Sequence, residues 1–125
     1  MKDFDYETNK IVASYHESLR KIEFKEERLR REHQKNEEAL ERIRMIFADI
    51  ESQAFYVLGS DSLLYGQLRS GFDESFYIWQ NASEDVENSF QAAQRQLRQA
   101  EEDAYTIFVK ALRALEAEER ASRDY

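Results

Sequence analysis

The feature that most constrains the fold of this chain is the distribution of its helix-breaking residues. No proline occurs in the 125 residues, and the three glycines, Gly59, Gly66 and Gly71, all lie in one short window. Proline and glycine are the residues that most strongly disfavour a helix interior, so both flanks of this window are free to form long helices. No alternating run bounded by turn residues indicates a strand. The sequence therefore predicts an all-α fold with a single break.

Apolar residues recur at alternating steps of three and four on both sides of the break, the spacing of helices that pack at a shallow angle. The predicted seam contains Ile22, Glu26, Leu29, His33, Asn36, Leu40, Ile43, Phe47, Ile50, Ala54 and Val57 upstream, and Phe72, Phe76, Trp79, Ser83, Val86, Phe90, Ala93, Leu97, Ala100, Ala104, Ile107 and Ala111 downstream. We therefore predict one domain, a long antiparallel two-helix hairpin. Its helices cover about residues 3–57 and 72–122, and its turn covers about residues 58–71. A chain reversal near Tyr65 would place His33 near Leu97 and Leu40 near Phe90.

Large apolar residues also lie off this predicted seam. A two-helix hairpin buries one stripe of each helix, so the remaining surface should be polar. Instead, eleven residues widen the apolar surface near the predicted turn, here called the hinge, and at the opposite end of the predicted hairpin. They are Met45, Phe55, Tyr56, Leu64, Tyr65, Tyr77, Ile78, Tyr105, Phe108, Val109 and Leu112. Contiguous exposed apolar patches mark interfaces. We predict that these residues bind a protein partner and that the hairpin forms part of a three- or four-helix bundle. The partner is either a different helical protein or a second copy in a homodimer.

Charge and hydropathy argue against nucleic acid and membrane partners. The net charge is −8, and the one basic run, residues 28–35, is flanked by glutamates. Phosphate binding requires a concentrated positive face, so nucleic acid is disfavoured. No apolar run approaches the ~20 residues that span a bilayer, so membrane insertion is not expected. The absence of cysteine is compatible with a reducing compartment, and we expect a cytoplasmic protein.

Residue patterns that carry catalytic or metal chemistry are missing. The two histidines, His16 and His33, are 17 residues apart, and neither follows a glutamate by three positions. A di-metal bundle site needs that Glu-x-x-His motif, and a two-histidine zinc site on a helix needs a spacing of four. The segment Gly59-Ser60-Asp61-Ser62 is interpreted as a loop that ends in a helix N-cap, not as a serine nucleophile elbow. We therefore predict no enzymatic activity, no cofactor and no metal.

A small acidic chain with two long antiparallel helices and a short glycine-containing turn resembles the WXG/ESAT-like helical hairpins of type VII secretion. The turn reads Tyr56-Val57-Leu58-Gly59 and Tyr65-Gly66, without the Trp-x-Gly of that family, and Trp79 lies inside the second helix. The C-terminal secretion signal, an aromatic residue followed four positions later by an acid, is also missing, because Val109 follows Tyr105 at that distance.

With these two features missing, the chain resembles the small WXG-less companions of LXG-domain toxins in Gram-positive bacteria. The resemblance implies a targeting factor or chaperone that binds the helical N-terminal domain of an LXG toxin. A second small hairpin protein could join that complex, and the chain could be co-exported with its partner. The alternative is a self-associating homodimer, a four-helix structural or adaptor protein of phage or cytoskeletal type.

Overall fold

The computed structural model describes residues 3–124 and contains two α-helices, α1 (Phe4–Leu58) and α2 (Leu63–Arg123). The helices run antiparallel and pack against each other as a hairpin, and the described residues include no strand. The prediction of an all-α hairpin is therefore confirmed. Asp3 caps α1, because its Oδ1 accepts a hydrogen bond from the Tyr6 backbone N–H at 3.1 Å, which satisfies one of the free N–H groups of the first turn.

The turn between the helices is shorter than the sequence predicts. Gly59 ends α1 in a left-handed conformation (φ +77°), and its N–H donates to the Phe55 carbonyl at 2.8 Å. Ser62 caps α2, with its Oγ 3.4 Å from the Tyr65 N–H, as the sequence interpretation of this loop expects. The predicted turn at residues 58–71 is therefore wrong, because α2 already begins at Leu63 and contains Gly66 and Gly71. A helical glycine costs only about 1 kcal/mol, which does not end a helix.

The earlier reversal of the chain also changes the register between the helices. His33 stacks on Phe90, with ring centroids 3.8 Å apart and an interplanar angle of 8°. The predicted neighbour, Leu97, lies about two helical turns further along α2. Trp79 fixes the observed register, since its indole N–H donates to the Leu40 carbonyl at 2.7 Å. The register predicted from a reversal at Tyr65 is therefore wrong.

The chain forms two compact units. Unit 1 contains the described residues up to Leu29 and from Ala92 onward, and unit 2 contains Arg30–Gln91. In unit 1, Ile22 and Leu115 are buried, and the Tyr15 ring lies 4.5 Å from Phe108.

Unit 2 carries the hinge. Its most buried apolar residue is Tyr65, which is 7% exposed. The Phe55 ring packs edge-on against Tyr65 at a centroid distance of 5.6 Å. This pair joins the last turns of α1 to the first turn of α2.

The glycine in the turn and a glycine inside α2 should change the free energy of unfolding in opposite directions when each is replaced by alanine. Gly59→Ala places a side chain in a left-handed conformation, so we expect the free energy of unfolding to fall by about 1 kcal/mol. Gly66→Ala, where a Cβ would meet nothing within 4 Å, should raise it by up to about 1 kcal/mol. Urea denaturation followed by circular dichroism measures both. Equal destabilisation by the two variants would contradict the observed turn.

Candidate interaction surface

In unit 2 the two helices meet along an inner seam of buried and half-buried residues. On α1 this inner seam contains Leu40, Phe47, Glu51, Ala54 and Leu58, and on α2 it contains Tyr65, Phe72, Trp79, Ser83 and Val86. The steps between them are threes, fours or sevens, so the residues lie in one line along each helix.

A second apolar stripe runs beside the inner seam on both helices. On α1 its members Ala39, Ile46, Ile50 and Val57 each directly precede an inner-seam residue, and Ile43 fills the step between the first two. On α2 the members Leu64, Gly71, Ile78 and Ala82 have the same relation to the inner seam, and Leu68 and Ser75 fill the steps between them. Each helix therefore carries two adjacent stripes with the three–four spacing of packed helices.

The second stripes of the two helices lie on the same side of the hairpin. A residue that precedes a seam residue lies about 100° around the helix from it, always in the same sense. Two antiparallel helices are related by a two-fold axis perpendicular to the plane that contains both helix axes. Rotation about this axis leaves every residue on its own side of that plane. The two stripes therefore form one surface, two helices wide, which we call the open face.

The open face is exposed although it is apolar. Its seven large aliphatic side chains are between 39% (Leu68) and 77% (Val57) exposed; they are Ile43, Ile46, Ile50, Val57, Leu64, Leu68 and Ile78. Single exposed aliphatic residues are common on protein surfaces, but a contiguous group of this size is typical of an interface.

The opposite side of unit 2 is mostly polar. The residues that directly follow the inner seam there include Glu41, Ser52, Phe55, Asp73, Gln80, Glu84 and Glu87. Arg44 donates two hydrogen bonds to the Glu41 carboxylate, at 2.6 and 3.0 Å. These bonds lower the pKa of the Glu41 carboxyl and raise the pKa of the Arg44 guanidinium. Most of the exposed aliphatic side chains of unit 2 thus lie on the open face. Outside it, six further large hydrophobic residues are also exposed: Met45, Phe55, Tyr56, Leu63, Phe76 and Tyr77.

Seven of the eleven predicted partner-binding residues are exposed. They are Met45, Phe55, Tyr56, Leu64, Tyr77, Ile78 and Tyr105, with Tyr56 the most exposed at 90%. Leu64 and Ile78 belong to the open face. Met45, Tyr56 and Tyr77 lie on neither stripe, so the structure does not gather them with the open face.

Four predicted partner-binding residues are wholly or partly covered by the chain itself. Tyr65 is buried against Phe55, and the prediction that it is free for a partner is wrong because the short turn folds it inward. Phe108 is half-buried and packs on Tyr15, so it belongs to the core of unit 1. Val109 and Leu112 are also half-buried.

Several residues that the structure leaves exposed belong to the predicted seam and not to the predicted partner-binding residues. Ile43, Ile50 and Val57 on α1 and Phe76 and Ile107 on α2 are between 42% and 77% exposed. The sequence offers two adjacent stripes on α1, and the predicted seam alternates between them. It takes Leu40, Phe47 and Ala54 from the inner seam and Ile43, Ile50 and Val57 from the open face. The inner seam also contains Glu51, which a prediction from hydrophobicity does not select. The presence of two adjacent apolar stripes on one helix was the sequence feature that could have indicated an exposed apolar face.

A cluster of His33, Glu37 and Glu87 lies on the polar side of unit 2. His33 Nε2 is 2.8 Å from Glu37 Oε1 and 3.3 Å from Glu87 Oε2. This group matches neither of the two sequence patterns tested above, the Glu-x-x-His motif and two histidines four residues apart, so it was missed. The four-residue spacing of His33 and Glu37 was visible in the sequence, but the contribution of Glu87 required the observed register.

Unit 1 contains a shallow groove between the helices. Its lining includes Ile11, Tyr15, Ala104, Ile107 and Phe108, and its volume is about 240 Å³. Sites for drug-sized ligands occupy ~300–1,000 Å³, so the size of this groove does not favour a small-molecule site. The exposed side of Tyr105 lies beside it, with its ring 6.3 Å from Tyr15.

No family model, curated protein or solved structure matches the chain. Over the described residues, neither helix contains a segment long and apolar enough to cross a membrane. Any functional conclusion therefore rests on the surfaces described above.

Substitution of two tyrosines near the hinge should show which of them belongs to the core and which to the surface. Tyr65→Ala removes a buried ring, and loss of a core aromatic costs about 3–5 kcal/mol, so we expect a large fall in the melting temperature. Tyr56→Ala removes a ring that is 90% exposed and should leave the melting temperature almost unchanged. Thermal denaturation of the two variants side by side measures this difference. A smaller effect at Tyr65 than at Tyr56 would contradict the described hinge.

Proposed function

We propose that this chain is a non-catalytic helical binding protein and that its open face binds helices of another polypeptide. The observation that carries the proposal is the second apolar stripe, which lies on one side of unit 2 on both helices and remains exposed. Covering seven partly exposed aliphatic side chains would stabilise a complex by on the order of 5–10 kcal/mol before the entropic costs of association.

The dimensions of the open face indicate what fits it. On α1 it extends from Ala39 to Val57, about 28 Å at ~1.5 Å per residue. Polar residues end it on α2, where Asp85 occupies the next position after Ala82 in the stripe. Because the open face is two helices wide, a pair of amphipathic helices covers it more completely than a single helix. The complex would then be a four-helix bundle over unit 2.

The specific partner that we propose is the helical N-terminal domain of an LXG toxin. Support comes from the hairpin itself, from the short turn without Trp-x-Gly, and from the open face that a multi-helix partner would complete. In this proposal the chain is a targeting factor or chaperone for type VII secretion. It acts in the cytoplasm and is exported, if at all, together with the toxin.

A homodimer is the second candidate, and the width of the open face favours it. A second copy presents a surface that is also two helices wide and has the same length and apolar character. Two copies packed through their open faces would form a four-helix bundle with an isologous interface. The protein would then act as a structural or adaptor element.

A pair of glutamate substitutions tests the use of the open face. Ile46→Glu introduces a charge there, and burying that unpaired charge in an interface should weaken partner binding at least 100-fold. Ala48→Glu introduces the same charge two positions away. Ala48 directly follows the inner-seam residue Phe47 and therefore lies on the polar side, so this variant should change binding less than threefold. Calorimetric titration with the toxin domain measures the affinities, and circular dichroism confirms equal helix content. Equal losses in both variants would contradict the assignment of the interface to the open face.

Light scattering after size-exclusion chromatography distinguishes the two candidate functions. A chain that is monomeric alone and forms a stoichiometric complex with a co-expressed LXG domain supports the toxin companion. A stable dimer that ignores such domains supports the homodimer. A chain that remains monomeric and binds no LXG domain rules out both.

A further inference from the structure

We propose that His33, Glu37 and Glu87 form a binding site for one divalent transition cation of the zinc class. The three side chains each offer one ligand atom, and these atoms all lie within 4.8 Å of one another. His33 and Glu37 come from successive turns of α1, and Glu87 comes from α2. An ion bound at this cluster would therefore connect the two helices of unit 2.

The ligand types and charges suit such an ion. Zinc is commonly bound by imidazole nitrogen together with carboxylate oxygen. The two carboxylates supply two negative charges, which balance one divalent cation when the imidazole is neutral. The distances from His33 Nε2 to the two carboxylate oxygens, 2.8 and 3.3 Å, are close to the ~3.3 Å that separates neighbouring ligands in a tetrahedron with bonds of ~2.0–2.1 Å.

Groups around the cluster hold two of the three ligands in place. The His33 ring stacks on Phe90 and its side chain is only 13% exposed, so the ring has little freedom to turn. Gln91 donates from Nε2 to Glu87 Oε1 at 3.2 Å, while Glu87 Oε2 is the oxygen nearer to His33. Partners that orient ligands in this way are typical of metal sites.

The surroundings of the second ring nitrogen of His33 determine how strongly we expect the site to bind zinc. His33 Nδ1 is buried and has no hydrogen-bond partner. When Nε2 binds a metal, the ring proton must sit on Nδ1, and metal-ligating histidines usually donate that proton to an acceptor. Loss of such an outer partner weakens metal affinity roughly 10–100-fold. We therefore expect a micromolar site, not a nanomolar one.

The experiment is calorimetric titration of the full chain with zinc chloride at neutral pH. We expect one zinc ion per chain, and a melting temperature that rises with zinc concentration because the ion binds the folded state. Cobalt(II) titrated in place of zinc should give the visible absorption of a four-coordinate site.

Matched variants separate this site from general binding to an acidic surface. Glu87→Gln, Glu37→Gln and His33→Gln should each weaken zinc binding at least tenfold. Glu84→Gln, which removes a neighbouring carboxylate on α2, and His16→Gln, which removes the other histidine, should leave it unchanged. Glu87 is 48% exposed, so Glu87→Gln should fold normally, and circular dichroism verifies this. Failure of the chain to bind one equivalent of zinc, or equal affinity in Glu87→Gln and the parent chain, would overturn the proposal.

Discussion

The structure of this protein depends on a geometric limit of helix pairs, since a helix that packs on one neighbour buries one stripe of its surface. In unit 2 each helix carries two adjacent stripes with the correct spacing, and the hairpin covers only one of them. Leu40, Phe47 and Trp79 are half-buried in the inner seam, while Ile46, Ile50 and Ile78 remain exposed. The exposed apolar surface is therefore a regular consequence of the sequence pattern, and it marks where further helices fit.

The two sides of unit 2 have different chemistry. The open face is aliphatic, and the opposite side is mostly polar, with the ion pair Glu41–Arg44 and the cluster around His33 in addition to the exposed ring of Phe55. Trp79 holds the helices in register through its bond to the Leu40 carbonyl. The same register brings Glu87 to His33. A partner on the open face and an ion at the polar side would thus act on one hairpin without competing for surface.

The fold class could be predicted from the sequence because helix breakers occur in only one window and the three–four spacing continues on both sides. The register could not, because three glycines offered three possible turns and only Gly59 adopts a left-handed conformation. Hydrophobicity alone also does not decide which of the two stripes faces inward, and the predicted seam mixes residues of both. Glu51 lies half-buried in the inner seam while Ile50 beside it is 46% exposed. Which stripe faces inward depends on both helices together, and the burial of Tyr65 depends on where the chain reverses.

The central claim is that the open face is exposed in the free chain and covered in the complex. Because the chain contains no cysteine, single cysteines at Ile46, Ile78 and Gln80 can be compared directly by their rates of thiol labelling. We expect fast labelling at all three positions in the dilute free chain. In the complex, Ile46→Cys and Ile78→Cys should become protected while Gln80→Cys, on the polar side, stays reactive. Continued fast labelling at positions 46 and 78 in a verified complex, with protection at position 80, would contradict the claim.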